Sequence, residues 1–130
     1  MVPIIALDIG LKRIGVAYSP DGKIVVPLRA IIRKNRNQAA NDVKALLKEW
    51  QAKKLVVGIP LGGSSEDEMR RRIEHFMKLV DFSGEVCYQD ESDTSKEAKE
   101  LIKGEMRHIK DGRIDSIAAM LVLKRYFILN

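Results

Sequence analysis

A length of 130 residues suits one domain, residues 1–130, and leaves little room for a second. Hydrophobic residues make up 45% of the chain, which supports a packed core and argues against disorder. The 23 Lys and Arg outnumber 18 Asp and Glu, so the net charge of +5 favours an anionic partner, and the single cysteine, Cys87, excludes an internal disulfide framework and an all-cysteine zinc site.

Residues Met1 to Leu7 have no basic n-region, and no stretch reaches the length of a membrane span. A cytoplasmic protein without a membrane partner is expected. Pro3 to Leu7 reads as a short apolar strand ending at Asp8, with Gly10 in the following turn. Arg13 to Ser19 is a second strand. Ser19-Pro20-Asp21-Gly22 is a hairpin signal that returns the chain into Lys23 to Ile32. The period then changes: Ala40, Val43, Leu47 and Trp50 fall on one face of a helix over Asn37 to Trp50. Leu55 to Ile59 is a continuous apolar run closed by Pro60. A helix beginning near Glu66 to Glu68 follows, carrying Ile73, Phe76, Met77 and Val80, with Ser64 as a cap. Glu85 to Gln89 makes a fifth strand and places Cys87 as a buried thiol. Thr94 and Glu97 suggest a capping box before a short helix, and Arg113 to Ile128 reads as a long apolar-faced helix. Three strands joined closely predict an antiparallel meander, and later strands separated by helices predict parallel crossovers. The expected fold class is α/β, a mixed five-stranded sheet flanked by helices.

In parallel strands the C-terminal ends share an edge, where ligand sites gather. Asp8 ends the first strand and Asp90 and Glu91 end the fifth, so they meet if both strands flank the fourth in parallel. Alternation does not choose between Asp90 and Glu91. Asp115 has Ala118, Ala119, Val122 and Tyr126 on its helical stripe, which turns it toward the sheet. Three converging carboxylates call for a cation, and oxygen ligands suit Mg²⁺ or Mn²⁺. Each acid also has a plainer reading: an Asx turn at Asp8, a polar strand end at Asp90 or Glu91, a helix cap at Asp115. Basic groups surround these acids. Lys12 and Arg13, then Arg33, Lys34 and Arg36, then Arg70, Arg71 and Arg72, then Arg107, His108, Lys110 and Arg113 offer phosphate contacts or a solvated cationic surface. His75 and His108 do not have the spacing of a zinc motif. The Gly58 to Gly63 turn suits either close phosphate approach or tight-turn geometry. Trp50 and Phe76 are expected in the core.

These positions resemble the YqgF family, also called RuvX, over nearly the whole chain. The resemblance rests on Ala6-Leu7-Asp8-Ile9-Gly10, Arg13-Ile14-Gly15-Val16-Ala17, and Val56-Val57-Gly58-Ile59-Pro60-Leu61. Asp90-Glu91 followed by Thr94-Ser95, and Ile114-Asp115-Ser116-Ile117-Ala118-Ala119, extend it. It implies a ribonuclease-H-like fold and carries the family's acidic positions onto Asp8, Glu91 and Asp115, as catalytic residues and metal ligands. It further implies a metal-dependent phosphodiester hydrolase that processes the 5′ end of precursor 16S ribosomal RNA. The alternatives are a Holliday-junction-type DNA nuclease and a weakly catalytic nucleic-acid-binding protein. Precursor ribosomal RNA or branched DNA is the expected partner, with Lys12, Arg13, Arg70, Arg71, His108, Lys110 and Arg113 as substrate-binding residues. One segment departs from the family's Asp-Glu-Arg-Leu-Thr-Thr: Ser92 and Asp93 stand in place of the arginine and leucine. Asp93 is read as a cap for the next helix. The sequence leaves monomer and homodimer open.

Overall fold

Sheet order follows from which strands can bury two faces. In the computed structural model, which describes residues 2–60, 66–91 and 116–129, β1 (Ile4–Ile9) and β4 (Lys54–Ile59) are the most thoroughly buried strands, with Ile5, Ala6, Leu7, Leu55, Val56 and Val57 wholly inaccessible. They lie side by side and parallel in the middle of one five-stranded sheet, order β3-β2-β1-β4-β5. β2 (Arg13–Ser19) and β3 (Val26–Ile32) complete an antiparallel meander on one flank, and β5 (Glu85–Asp90) pairs in parallel with β4 on the other. The mixed sheet and flanking helices are a ribonuclease-H-like α/β arrangement.

Helices α1 (Arg36–Glu49) and α2 (Glu66–Val80) cover one face. Their Ala40, Val43, Leu47, Ile73, Phe76 and Val80 pack on Ile5, Leu7, Ile14, Val16, Leu55 and Val57. The opposite face is lined by smaller residues, with Ala6, Ala17 and Val56 beside Ile4, and α3 (Ile117–Leu129) lies against it through Ile117, Ala119, Val122 and Leu123. Small sheet residues allow that close seat. No helix among the described residues is long and apolar enough to cross a membrane.

Several boundaries differ from the sequence reading for local reasons. β1 continues past Leu7, so Asp8 sits inside the strand opposite Gly15. β3 begins at Val26 instead of Lys23, because the Asp21 carboxylate accepts the Lys23 and Ile24 N–H groups at 2.9 Å each and holds them in the turn. Gly22 N–H donates to Ser19 Oγ at 3.0 Å in the same hairpin. α1 starts one residue early, at Arg36, since Asn35 and Gln38 form a capping box. Cys87 is half-buried, a correction to the buried thiol: β5 is an edge strand and covers only part of its α3-facing side. Phe76 is buried and Trp50 partly buried against the core, as expected. Ser64, the helix predicted after Thr94, and residues 113–115 of the last helix lie outside the described residues.

Candidate active site

Alternation along the central strands puts Asp8 on the α3 side of the sheet, in line with Ile4 and Ala6. Its neighbours in the sheet are both glycines. Gly15 is its partner on β2, and Gly58 lies one step beyond the Leu7–Val57 pair on β4. The chain around Asp8 is thus cleared of side chains on both sides. The β1–β2 turn beyond it is tight, with Gly10 N–H donating to Arg13 O at 2.9 Å. A Cβ at Gly10 would lie 2.8 Å from the same oxygen.

β5 delivers the second acid. Gly58 pairs with Gln89, and the ladder continues through Glu91 N–H to Ile59 O at 2.9 Å. Glu91 therefore shares the face of Cys87 and Gln89, while Asp90 belongs to the other face. This resolves the alternative that alternation alone left open. Glu91 leans back across Gly58: a Cβ there would stand 2.8 Å from Glu91 Oε2, 3.2 Å from Glu91 Cβ and 3.1 Å from Val122 Cγ2. The absent side chain of Gly58 is the space the Glu91 carboxyl occupies. Gly58 is accordingly a strand residue, within the apolar run Leu55 to Ile59 and not in the turn the sequence also suggested for it; Gly62 and Gly63 lie outside the described residues.

The two carboxyls come within hydrogen-bonding reach. Burial, then the hydrogen bond and charge of Asp8, then the charge of Asp90, push the Glu91 carboxyl up to about 8. A pair of this kind holds a proton at neutral pH or gives it up to a cation. The oxygen donors suit a hard divalent ion, and Gly58 leaves the room for their approach. Among the described residues no three acid, His or Cys side chains converge to hold a metal. Asp115 lies outside them. Its neighbour Ser116 is described and wholly buried, and its Oγ accepts the Val16 N–H at 2.8 Å. That bond ties the start of α3 to β2 one residue from Gly15, at the irregularity in the β2–β3 register between Ile14 and Val16. At the far side of the pair, Arg125 of α3 donates to Asp90 O at 3.3 Å.

The basic residues divide. Lys12 and Arg13 are exposed on the turn after Asp8. Arg70 is ion-paired with Asp67 and Arg72 with Glu68, at 2.9 Å for the second pair. Arg71 is exposed on a groove on the α1–α2 side. His108, Lys110, Arg113, Ser92 and Asp93 lie outside the described residues. Sequence reasoning missed the parts played by Gly58, Ser116 and Arg125. A glycine within an otherwise apolar strand was the available signal for the first.

Comparison with known proteins bears on the family and the fold. The RuvX family pattern, described as Holliday junction resolvase, matches residues 2–128. A Sulfurimonas denitrificans protein named "Putative pre-16S rRNA nuclease" is 63% identical over 122 residues, covering 94% of each chain. Proteins of the same name from Campylobacter lari and Helicobacter pylori are 59% and 47% identical, covering 95% of this chain and 95% and 93% of their own. Among solved structures, the fowlpox virus Holliday junction resolvase matches with a TM-score of 0.58 at 12% identity, over 99% of this chain and all of its own. T. thermophilus RuvC in complex with a Holliday junction substrate matches with a TM-score of 0.58 at 13% identity, over 99% and 95%. These two likenesses speak to the fold. Carried by the family pattern and by relatives spanning nearly their full length, the chain belongs to the RuvX family.

Proposed function

We propose that this chain is a cytoplasmic, single-domain, divalent-metal-dependent nuclease that processes the 5′ end of precursor 16S ribosomal RNA. The approach of the Glu91 and Asp8 carboxyls over Gly58, with Glu91 pushed up to about 8, is the observation that supports it most. Asp8 and Glu91, together with Asp115, are the residues that would hold Mg²⁺ or Mn²⁺. The bound ion would supply charge neutralisation at the scissile phosphate and activation of water. The protein's own contribution is positional. Strand pairing fixes Asp8 between two glycines, Gly58 admits Glu91, and the Ser116–Val16 bond sets the helix start beside them. The name shared by the close relatives supports the ribosomal RNA substrate, and Lys12, Arg13 and Arg71 are exposed cations suited to its phosphates.

Cleavage of precursor 16S RNA and of a four-way DNA junction, each with Mg²⁺ or Mn²⁺, tests this reading against an Asp8→Asn control. Metal-dependent trimming of the RNA, reduced at least about 100-fold in the variant, is expected. Undiminished cleavage by Asp8→Asn removes Asp8 from the site. The family description favours a second reading, a junction-type DNA nuclease, and preferential cutting of the junction would select it. Absence of cleavage on both substrates with both metals leaves only a nucleic-acid-binding role.

A further inference from the structure

The sheet edge that carries the acids has a second side. Beyond the β1–β2 turn, on the face of α1 and α2, an open groove of about 560 Å³ runs between Gly10 and the first turns of α2. Its lining includes Arg33, Arg36, Arg71 and Arg72 against one carboxylate, Glu68. We propose that this groove grips the phosphodiester backbone of a single strand of substrate adjoining the bond to be cut. The proposal rests on the nuclease reading above and assigns its substrate a track.

Three observations carry it. First, the cations are gathered from separate elements: Arg33 follows β3, Arg36 opens α1, and Arg71 and Arg72 belong to α2. A random solvated surface does not need such convergence. Second, Arg33 is fixed in place. Its Nη1 donates to Gly10 O at 2.7 Å, and its guanidinium lies 5.1 Å from the centre of the Phe76 ring. Burial, and then the charge of Arg36, lower its pKa, and a bound anion offsets both effects. Third, the groove begins at the turn that follows Asp8. Ile9 and Gly10 line it, and Asp8 precedes them on the opposite face of the same strand. A strand lying in the groove crosses the β1–β2 turn to reach the acid pair. The volume lies in the range of small-ligand pockets and is enough for a short length of single strand. Exposed Leu11 adds an apolar surface at the turn for a sugar or base face.

Fluorescence anisotropy with a 12-nucleotide single-stranded RNA, and with DNA of the same sequence, tests the groove in EDTA so that no cleavage occurs. The double variant Arg36→Glu/Arg71→Glu alters two exposed groove residues. Lys44→Glu/Lys48→Glu makes the same charge change on the exposed far part of α1. The groove pair is expected to weaken binding at least about 10-fold, the lysine pair by no more than about 3-fold. Arg36→Gln/Arg71→Gln, which removes charge without adding repulsion, is expected to lower the salt slope by about 1.4. Equal losses from the arginine and lysine pairs, an unchanged salt slope, or no strand binding by the wild type each overturn the proposal. The nuclease reading fails separately. Wild-type binding through the groove with no metal-dependent cleavage sinks that reading alone, whereas cleavage with equal losses sinks the groove alone.

Discussion

A methyl group at Gly58 would meet Glu91 Oε2 at 2.8 Å and Val122 Cγ2 at 3.1 Å, and these neighbours differ in how far they can yield. The carboxyl can swing away on its own torsions. Val122 is wholly buried in the α3 interface and cannot. Gly58→Ala should therefore displace Glu91 from Asp8 more readily than it unfolds the sheet. Denaturant unfolding is expected to show a loss of about 1–3 kcal/mol, while metal-dependent cleavage falls at least about 10-fold. A variant that loses stability but cleaves normally would show that the approach over Gly58 is dispensable. Glu91 itself makes a pH prediction. Its folded pKa, about 8, is raised above the ordinary 4.5, so the folded state binds the extra proton. The corresponding stability is fully present below about pH 4.5 and is lost as pH rises through about 8. In the absence of divalent ions, unfolding free energy should fall across that window by roughly 1–3 kcal/mol after allowance for solvent screening. Glu91→Gln should flatten the curve. The same pH slope in wild type and variant would assign the loss to other groups.

Elements deliver these residues by their ends. β1, β4 and β5 run in parallel, so Asp8 and Glu91 arrive at one edge, and α3 begins there because Ser116 takes the Val16 N–H. Ser116→Ala would leave that buried donor without its acceptor, at a cost of about 1–3 kcal/mol. Its unfolding midpoint should drop accordingly, and Ser116→Thr, which keeps the oxygen, should recover part of the loss. No change in the alanine variant would mean that the bond contributes little to holding α3. Much of this arrangement is legible in the sequence. The unbroken apolar runs of β1 and β4 mark strands buried on both faces, and the helical period of Ala40, Val43 and Leu47 marks a helix on one side. Asp8 is legible as an acid at a strand end. What sequence does not reveal is dependence across elements. Alternation puts Asp90 and Glu91 on opposite faces without naming which face holds Asp8, and the answer comes from packing against α3. Gly58 falls both in the apolar run of β4 and at the start of the turn marked by Pro60, Gly62 and Gly63; its pairing with Gln89 places it in the strand. Cys87 looks buried because its immediate neighbours are apolar, yet edge position decides its exposure.

At the scale of the whole molecule, two charge patterns oppose each other: a basic chain of net +5 carries, beside Asp8, a Glu91 carboxyl that disfavours its own charge. The basic field draws phosphates in, and the acids resist them unless a cation intervenes. That conflict predicts a coupling between metal, pH and folding that can be read without substrate. At pH 6 the Glu91 carboxyl holds its proton, so ion binding must release it; at pH 8 and above little of that cost remains. Apparent affinity for Mn²⁺ should thus rise about tenfold per pH unit over the window and level off near pH 8. A saturating ion at about 100 times its dissociation constant stabilises the fold by about 2.7 kcal/mol. At fixed Mn²⁺, the rise in thermal midpoint should therefore be several degrees at pH 8 and clearly smaller at pH 6. Asp8→Asn should remove it at both values. A rise that is independent of pH, or that persists in Asp8→Asn, would place the ion elsewhere on the protein and separate metal binding from the acid pair.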